Sequence, residues 1–259
     1  MCKFLKPCAG PHSIKEATIS FFLASKILKP QEYQTLLSGK VLSDYQQFQI
    51  IKQIQVNLGA INNAQIQINN NIGFKIVKFE DGKESNVIQG INEENRFFFS
   101  FHSLKYTCWN DFFNKAKSDI ENVGNVQNGH YAIAYSLQYI DEFEYTDSNF
   151  YDANDIFKKT YLPDDAFKSS ILDYSLNLDK TIEGKKYLDR IAINVRDIIN
   201  RGKIISIIHN ITFVLPEPEQ LTQLLHSDGF NHNMEIAHTE NKNSIKSILT
   251  DQVCAKIGL

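Results

Sequence analysis

The sequence has few cysteines, and they are far apart. The four, Cys2, Cys8, Cys108 and Cys254, form neither a C-x-x-C pair nor a cysteine and histidine cluster with the spacing of a zinc site. This pattern argues against a disulfide-stapled secreted scaffold and against a structural zinc module. Scattered free thiols are typical of a reducing compartment, so we predict a cytoplasmic protein.

Long apolar runs and an excess of one charge are also missing. No window approaches the roughly 18 apolar residues that a membrane-spanning helix needs, and the N-terminal MCKFLKPCAGPHS has no apolar run of signal-peptide length. Lysine and arginine number 27 and aspartate and glutamate 30, which gives a formal net charge of -3. Because anionic membranes and nucleic acids attract basic surfaces, we expect neither as a partner.

Motifs that carry a known chemistry are lacking as well. The sequence has no G-x-S-x-G nucleophile elbow, no P-loop and no G-x-G-x-x-G dinucleotide turn, and Cys108 has no base at a motif spacing. We therefore predict no catalytic residue and no cofactor. The expectation is a protein that is not an enzyme.

What the sequence does have is a cluster of large aromatic residues between positions 96 and 120. Phe97, Phe99 and Phe101 alternate along a predicted strand and therefore share one face. A predicted helix follows, with an apolar stripe made of Trp109, Phe112, Phe113 and Ala116. Large aromatic side chains bury the most surface, so this strand and helix are predicted to form the centre of the core.

The remaining patterns predict an α+β protein that forms one domain over residues 1–259. Alternating residues predict antiparallel strands at 14–27, 48–58, 66–76, 87–91, 97–101, 130–145, 172–178, 187–195 and 204–215. Helices are predicted at 30–37, from Trp109 onward, at 154–161, near 216–218 and at 234–257. The expected fold is a large curved antiparallel sheet built from two similar β-α-β(3-4)-α halves, residues 12–125 and 129–259, with helices packed on the apolar face.

Three segments carry a resemblance to a known family. They are PHSIKEATISF from Pro11, NRFFFSFHSLKYTCWNDF from Asn95, and HTENKNSIKSILTDQVCAKIG from His238. Their order and patterns resemble a sporadically distributed bacterial family of about this length, which has no assigned function. The resemblance implies a globular protein of the bacterial cytosol, from a family sometimes found in defence or mobile-element gene neighbourhoods, and it implies no reaction.

Two sets of polar residues are candidates for metal binding. His226, Asp228, His232 and His238 fall within 13 positions, and Glu235 forms one E-x-x-H spacing with His238. The acidic stretch comprises Asp141, Glu142, Glu144, Asp147, Asp152 and Asp155, and its spacing does not match a calcium loop. We interpret the stretch as a solvated strand end and predict no metal. His209, on the apolar face of its strand, is predicted to be a hydrogen-bonded core histidine.

The strongest candidate surface is polar and almost uncharged. It comprises Gln53, Gln55, Gln65, Gln67 and Asn69, on two neighbouring predicted strands. A second candidate is a face of small side chains, made of Ala132, Ala134, Ser136, Ala192, Asn194 and Ser206.

These surfaces favour a non-enzymatic binding or assembly module that recognises a protein partner, or a second copy of the chain, through the sheet. A small ligand is a further possibility for the same module. One alternative is a metal-dependent enzyme that uses the C-terminal histidines. The other is nucleic-acid binding on a saddle-like sheet, against which the net charge argues.

Overall fold

The computed structural model describes residues 4–10, 12–58, 64–127, 129–198 and 202–259, and at residues 53–58, 64–70 and 150 it describes the backbone alone. The strands in this part of the chain are β1 (Leu5–Pro7), β2 (Ile14–Leu23), β3 (Gln47–Leu58), β4 (Ala64–Glu80), β5 (Lys83–Asn92), β6 (Phe97–Ser103), β7 (Tyr131–Tyr145), β8 (Leu172–Ile182), β9 (Lys185–Ile198) and β10 (Gly202–Gln220). The helices are α1 (Thr35–Ser38), α2 (Trp109–Gly124), α3 (Leu221–His226), α4 (Asp228–Ile248) and α5 (Asp251–Lys256).

One antiparallel sheet organises the molecule. Its strand order is β3-β4-β5-β6-β2-β7-β10-β9-β8, and β1 pairs with β7 outside this path. The predicted antiparallel α+β architecture is therefore confirmed. The central pair is β2 with β7, in a register that opposes Phe21 to Tyr135. Moving outward from this pair, each strand comes earlier in the chain than the one before it. The strands are β6, β5, β4 and β3 on one side, and β10, β9 and β8 on the other.

Two hairpin turns have the same backbone conformation. Asp81 and Gly82 join β4 to β5 with φ values of 53° and 73°, and Glu183 and Gly184 join β8 to β9 with 49° and 77°. Two successive residues with positive φ form the turn whose twist matches that of the flanking strands. Glycine at the second position adopts this conformation without the steric cost that a Cβ imposes.

The aromatic cluster predicted from the sequence lies in the core. Phe99, Phe101 and the four residues of the helix stripe are buried, and Phe97 packs against them at the edge. The Trp109 ring stacks on Phe113 with 4.9 Å between centroids and on His238 with 4.4 Å. The helix α2 therefore packs on the same face of the sheet as α4, and Trp109 lies between them.

Long strands are interrupted by shifts of register. In β10 the pairing with β7 shifts between Val214 and Glu219, a segment that contains Pro216 and Pro218. Proline has no N–H to donate to a ladder, so it is tolerated where the pairing is broken. We predicted a helix near these prolines; instead β10 continues to Gln220, and α3 begins at Leu221.

Two predicted helices differ in the structure. The segment 154–161 forms only a single 3-10 turn at Ala153–Asp155. The C-terminal helix begins earlier than predicted, at Asp228, because Ser227 accepts a hydrogen bond from the N–H of Phe230 and caps it. It ends at Ile248, where Leu249 is extended, and α5 follows as a separate helix. Among the described residues, no helix combines the length and the apolar character that crossing a membrane requires.

Candidate functional site

A cavity of about 700 Å³ opens between the β8–β9 hairpin, the end of β10 and the beginning of α4. We call it the hairpin pocket. Its volume lies within the range of about 300 to 1,000 Å³ that is typical of small-molecule sites. The chain folds back on itself here, since β10 leads through the short α3 directly into α4 and brings the first turn of α4 over the strand ends.

The bottom of the hairpin pocket is aromatic. Tyr135 of β7 and Phe213 of β10 are opposed in the register, so both point to the same face of the sheet. Their ring centroids are 5.5 Å apart, and Phe230 of α4 contacts Tyr135 edge-on at 5.0 Å. These rings can bury the apolar body of a ligand.

Asn233 places one polar group among these rings. Its side chain is 8% exposed, and its amide nitrogen donates to the Tyr135 hydroxyl at 2.7 Å. The amide oxygen of Asn233 is buried and has no hydrogen-bond partner among the described residues. Leaving a buried acceptor unpaired costs about 1 to 3 kcal/mol, so pairing this oxygen with a donor would recover free energy.

The hairpin that closes the pocket is bonded to the rest of the fold at two points. At its tip, Nε2 of His232 in α4 donates a hydrogen bond to Oε2 of Glu183 at 2.8 Å. Further in, the Asp189 carboxylate binds both Lys180 and His209. Burial by itself raises the pKa of Asp189, but the hydrogen bonds from His209 and Lys180 outweigh this and hold it below its ordinary value.

His209 is the core histidine that the sequence predicted. It is fully buried; its Nε2 donates to Asp189 at 2.5 Å, and its Nδ1 accepts from the Asn241 amide at 2.9 Å. Both ring nitrogens are therefore paired. The ring positions Asp189 under Lys180 and leaves no nitrogen free for catalysis.

Comparison with known proteins assigns no function to this pocket. No protein-family model, curated protein or solved structure matches the chain. The chemistry of the hairpin pocket is therefore inferred from its own residues.

The four residues of the predicted metal cluster lie apart. His226 binds Glu121 of α2, His232 binds Glu183, and Asp228 is exposed in the first turn of α4. His238 is buried beside Trp109 and bonds the Tyr139 hydroxyl at 3.0 Å, and burial lowers its pKa to about 4. Among the described residues, no three histidine, cysteine or acidic side chains are grouped so that they could hold a metal ion.

Part of the acidic stretch is not solvated, contrary to our interpretation. Asp141 is 3% exposed, and its carboxylate accepts from the Ser13 hydroxyl at 2.5 Å. Its second oxygen has no partner among the described residues. The alternation of β7 places Asp141 on the same face as Tyr139 and Phe143, which sends it into the core.

The predicted polar partner surface lies on the β3–β4 hairpin. The register opposes Gln53 to Asn69, Gln55 to Gln67 and Asn57 to Gln65. The side chains of Gln53, Gln55, Gln65, Gln67 and Asn69 lie outside the described residues, so the contacts that they make stay a prediction. The strand β3 ends the sheet path, with β4 as its only neighbour in the described ladder.

The face of the sheet away from α2 and α4 holds a second cavity of about 680 Å³. Ser136 and Ala192 of the predicted small-residue face line it, together with Ser20, Gln138 and Asn210. Ala132, from the same predicted face, is fully buried instead. Small residues on this face leave a broad polar groove, whereas the hairpin pocket has the more apolar bottom.

A serine, histidine and glutamate network on that same face escaped the sequence analysis. Nδ1 of His102 donates to Glu16 at 2.7 Å, and its Nε2 accepts from Ser100 and from Gln89, each at 2.8 Å. The hydrogen bond from His102 is the main cause that lowers the pKa of Glu16. The three residues come from β2 and β6, which are paired in the sheet but far apart in sequence.

This network links a serine, a histidine and a carboxylate in the same sequence of hydrogen bonds as a hydrolase triad. It lacks the substrate access and the free N–H donors of such a site. Ser100 is 1% exposed and lies in the middle of β6, which pairs with a strand on each side. A serine nucleophile needs access for its substrate and N–H groups that are free to stabilise an oxyanion. Here the neighbouring N–H groups belong to the ladders, so the network joins β2, β5 and β6 and is structural.

The residues of the hairpin pocket could be found in the sequence only one by one. Tyr135 and Phe213 belong to alternating patterns that predicted their strands correctly. Asn233 lies next to His232, just before the helix that we predicted at 234–257. The signal that was available is Ser227 followed by Asp228, a helix start that would have placed Asn233 inside α4.

Proposed function

We propose that this protein is a non-enzymatic binding protein that holds a small organic molecule in the hairpin pocket. The observation that carries the proposal is the amide oxygen of Asn233, which is buried and has no partner among the described residues, in a residue that lines the hairpin pocket. Native interiors contain few buried polar groups without a partner, and such a group calls for an explanation. A ligand that supplies the donor is that explanation.

The chemistry of the pocket defines the class of ligand. Tyr135, Phe213 and Phe230 favour a flat apolar or aromatic body, and Asn233 favours an N–H or O–H group on that body. The residues that surround this bottom contain no paired nucleophile and base. Binding is therefore the function that the pocket supports, and reaction is not.

Binding of N-phenyl-1-naphthylamine tests this function, because the probe is neutral, aromatic and carries one N–H. We expect saturable binding, measured by its fluorescence, at one site per chain. Leu215 is partly buried and lines the hairpin pocket. Leu215→Trp should fill the cavity and weaken binding by about tenfold or more, a loss of about 1.4 kcal/mol.

Leu28→Trp is the matched control. Leu28 is 67% exposed and lies outside the hairpin pocket, so the same substitution there should leave the affinity for the probe unchanged. Both variants are first compared with the wild type in a thermal melt. Equal affinity of the two variants, or no saturable binding to the wild type, contradicts the proposal.

We also propose that the fold consists of two similar halves, residues 12–125 and 129–259. The mirrored strand order around β2 and β7 supports this, as do the matching turns at Asp81–Gly82 and Glu183–Gly184. In each half a helix follows the last strand of the sheet, α2 after β6 and, through α3, α4 after β10. The two halves would then place corresponding cavities beside corresponding hairpins.

The family and the cellular compartment of the protein are also proposals. The segments that carry the family resemblance correspond to β2, to β6 with the start of α2, and to the end of α4 with α5. Two of the three contribute the centre of the core, which supports a resemblance based on packing. We propose a bacterial cytosolic protein, in which the free thiols of Cys8, Cys108 and Cys254 stay reduced.

Assembly through the sheet edge is a second candidate function. The strand β3 is an edge strand of 12 residues, and an edge strand presents unpaired backbone groups that another chain can bind. The partner would be another protein or a second copy of this chain, in contact with the surface of Gln53, Gln55, Gln65, Gln67 and Asn69.

Two lysines introduced on that surface test the assembly function. We expect Gln53→Lys with Gln67→Lys to leave the thermal melt unchanged and to abolish the assembly, because a strand that pairs there would bury the charges of the two lysines. The measurement is light scattering for self-association, or a pull-down for another protein. An assembly that persists unchanged in the double variant rules out this surface.

A further inference from the structure

We infer that the ligand of the hairpin pocket carries an anionic group, a carboxylate, sulfonate or phosphate, bound between the first turn of α4 and Lys185 and Lys186. The inference rests on the proposed function and adds a charge requirement to it. It places the anion at the mouth of the pocket, while the apolar body and its donor lie at the bottom.

The first turn of α4 has free N–H donors, and one of them belongs to a residue that lines the pocket. The cap at Ser227 pairs the N–H of Phe230 at 3.1 Å, and the Ser227 carbonyl pairs that of Asn231 at 3.2 Å. In the described part of the chain, the N–H groups of Asp228 and Gly229 have no acceptor. Gly229 lines the pocket, and a Cβ added to it would meet no atom within 4 Å, so its backbone is open to approach.

The length of α4 increases the positive electrostatic potential at its N-terminus. The helix has 21 residues, so its N-terminus carries close to the full partial positive charge of a helix dipole. An anion is the group that such a terminus favours. The second observation that points to a ligand is Asn233, which is buried, has an unpaired oxygen and lies one turn below Gly229 on the same face of the helix.

Two successive lysines at the start of β9 add positive charge to the lining of the pocket. Lys185 and Lys186 line the pocket, and neither makes an ion pair with a described residue. They directly follow the turn that the Glu183 to His232 contact fastens against α4. Lys180 also lines the pocket, but its charge is already matched by Asp189.

The corresponding cavity of the first half is different in this respect. It lies beside the β4–β5 hairpin and the start of α2, and its lysines are Lys78, Lys105 and Lys115. Each of the three is bound to an acidic side chain of the chain itself. An anionic ligand has no free cation there, so the inference applies to the hairpin pocket.

Besides Glu183 and Asp189, which are bonded to His232 and Lys180, three acidic side chains lie near the pocket and limit where the anion can bind. Asp179 also lines the groove on the other face of the sheet, and Asp228 is exposed and does not line the pocket. Glu219 lines the pocket beside Tyr135; burial raises the pKa of Tyr135, the hydrogen bond from Asn233 lowers it, and the Glu219 carboxylate adds a smaller increase. The bottom thus favours a hydrogen-bond donor, and the mouth favours the anion.

A pair of probes separates this inference from the proposed function. The first is 8-anilinonaphthalene-1-sulfonate, which has the rings and N–H of N-phenyl-1-naphthylamine and an added sulfonate. The second is N-phenyl-1-naphthylamine itself. Lys185→Gln with Lys186→Gln should lower the affinity for the sulfonate probe at least fivefold at low salt. The same double variant should change the affinity for the neutral probe less than twofold.

The matched control removes two charges elsewhere. Lys40 and Lys83 are exposed and lie outside the hairpin pocket, so Lys40→Gln with Lys83→Gln should affect neither probe. The anionic requirement is overturned if both double variants lower the affinity for the sulfonate probe equally, or if neither lowers it. If that happens while Leu215→Trp still blocks the neutral probe, the proposed function stands. If Leu215→Trp blocks neither probe, the proposed function fails too.

Discussion

Replacing Trp109 by alanine is expected to lower the free energy of unfolding by about 3 to 5 kcal/mol, the range seen for large core truncations. Trp109 is 9% exposed, stacks between Phe113 and His238, and donates its indole N–H to Glu235 at 2.6 Å. The substitution therefore opens a cavity between α2 and α4 and also leaves Glu235 without this donor. Chemical denaturation with urea measures the loss.

Tyr131→Ala is the control for this measurement. Tyr131 is also aromatic but 46% exposed, and its truncation should cost less than about 1 kcal/mol. A loss of under 1 kcal/mol for Trp109→Ala would mean that the aromatic cluster is not the centre of the core.

The second large effect is a dependence of stability on pH that Asp141 causes. Burial raises the pKa of Asp141 to about 6, and the hydrogen bond from Ser13 opposes this only in part. The folded state therefore binds the proton more tightly than the unfolded state, whose aspartates titrate near pH 4. The stabilisation is complete below about pH 4, declines as the pH rises, and is lost above about pH 6. A difference of about 2 pKa units amounts to about 3 kcal/mol.

Asp141→Asn removes this titration. We expect the free energy of unfolding of the variant, minus that of the wild type, to increase by about 2 kcal/mol between pH 4 and pH 7. Taking the difference cancels other groups that titrate in this range, such as His238, whose lowered pKa acts in the opposite direction. Asp173→Asn, at an exposed position of β8, is the matched control. A flat difference for Asp141→Asn would show that its carboxyl is not buried in this way.

Prediction from the sequence succeeded where local pattern and core packing agree. The alternation in residues 131–145 gave β7 nearly to the residue, and the aromatic stripe gave the start of α2. Prediction failed where the pairing with a neighbouring strand decides the local structure. The strand β10 passes through two prolines because β7 shifts register there, and this shift cannot be seen in β10 alone.

The candidate site shows the same division. That His209 is a buried, hydrogen-bonded histidine followed from the apolar residues around it in one strand. The hairpin pocket did not follow, because Tyr135, Phe213 and Asn233 come from three elements and meet only when β7, β10 and α4 pack together. The residues that the sequence did group, His226, His232 and His238, point to three different neighbours.

By itself, the sequence determined that the chain forms an antiparallel α+β fold with an aromatic core, because alternation and helical spacing are local properties of the chain. The tertiary structure alone decided that Asn233 lines an apolar cavity with an amide oxygen that has no partner among the described residues, and that Lys185 and Lys186 line the same cavity without an ion pair to a described residue. The physical reason is that burial and hydrogen-bond pairing depend on contacts between distant segments. Neighbouring residues do not reveal which polar group will be left without a partner.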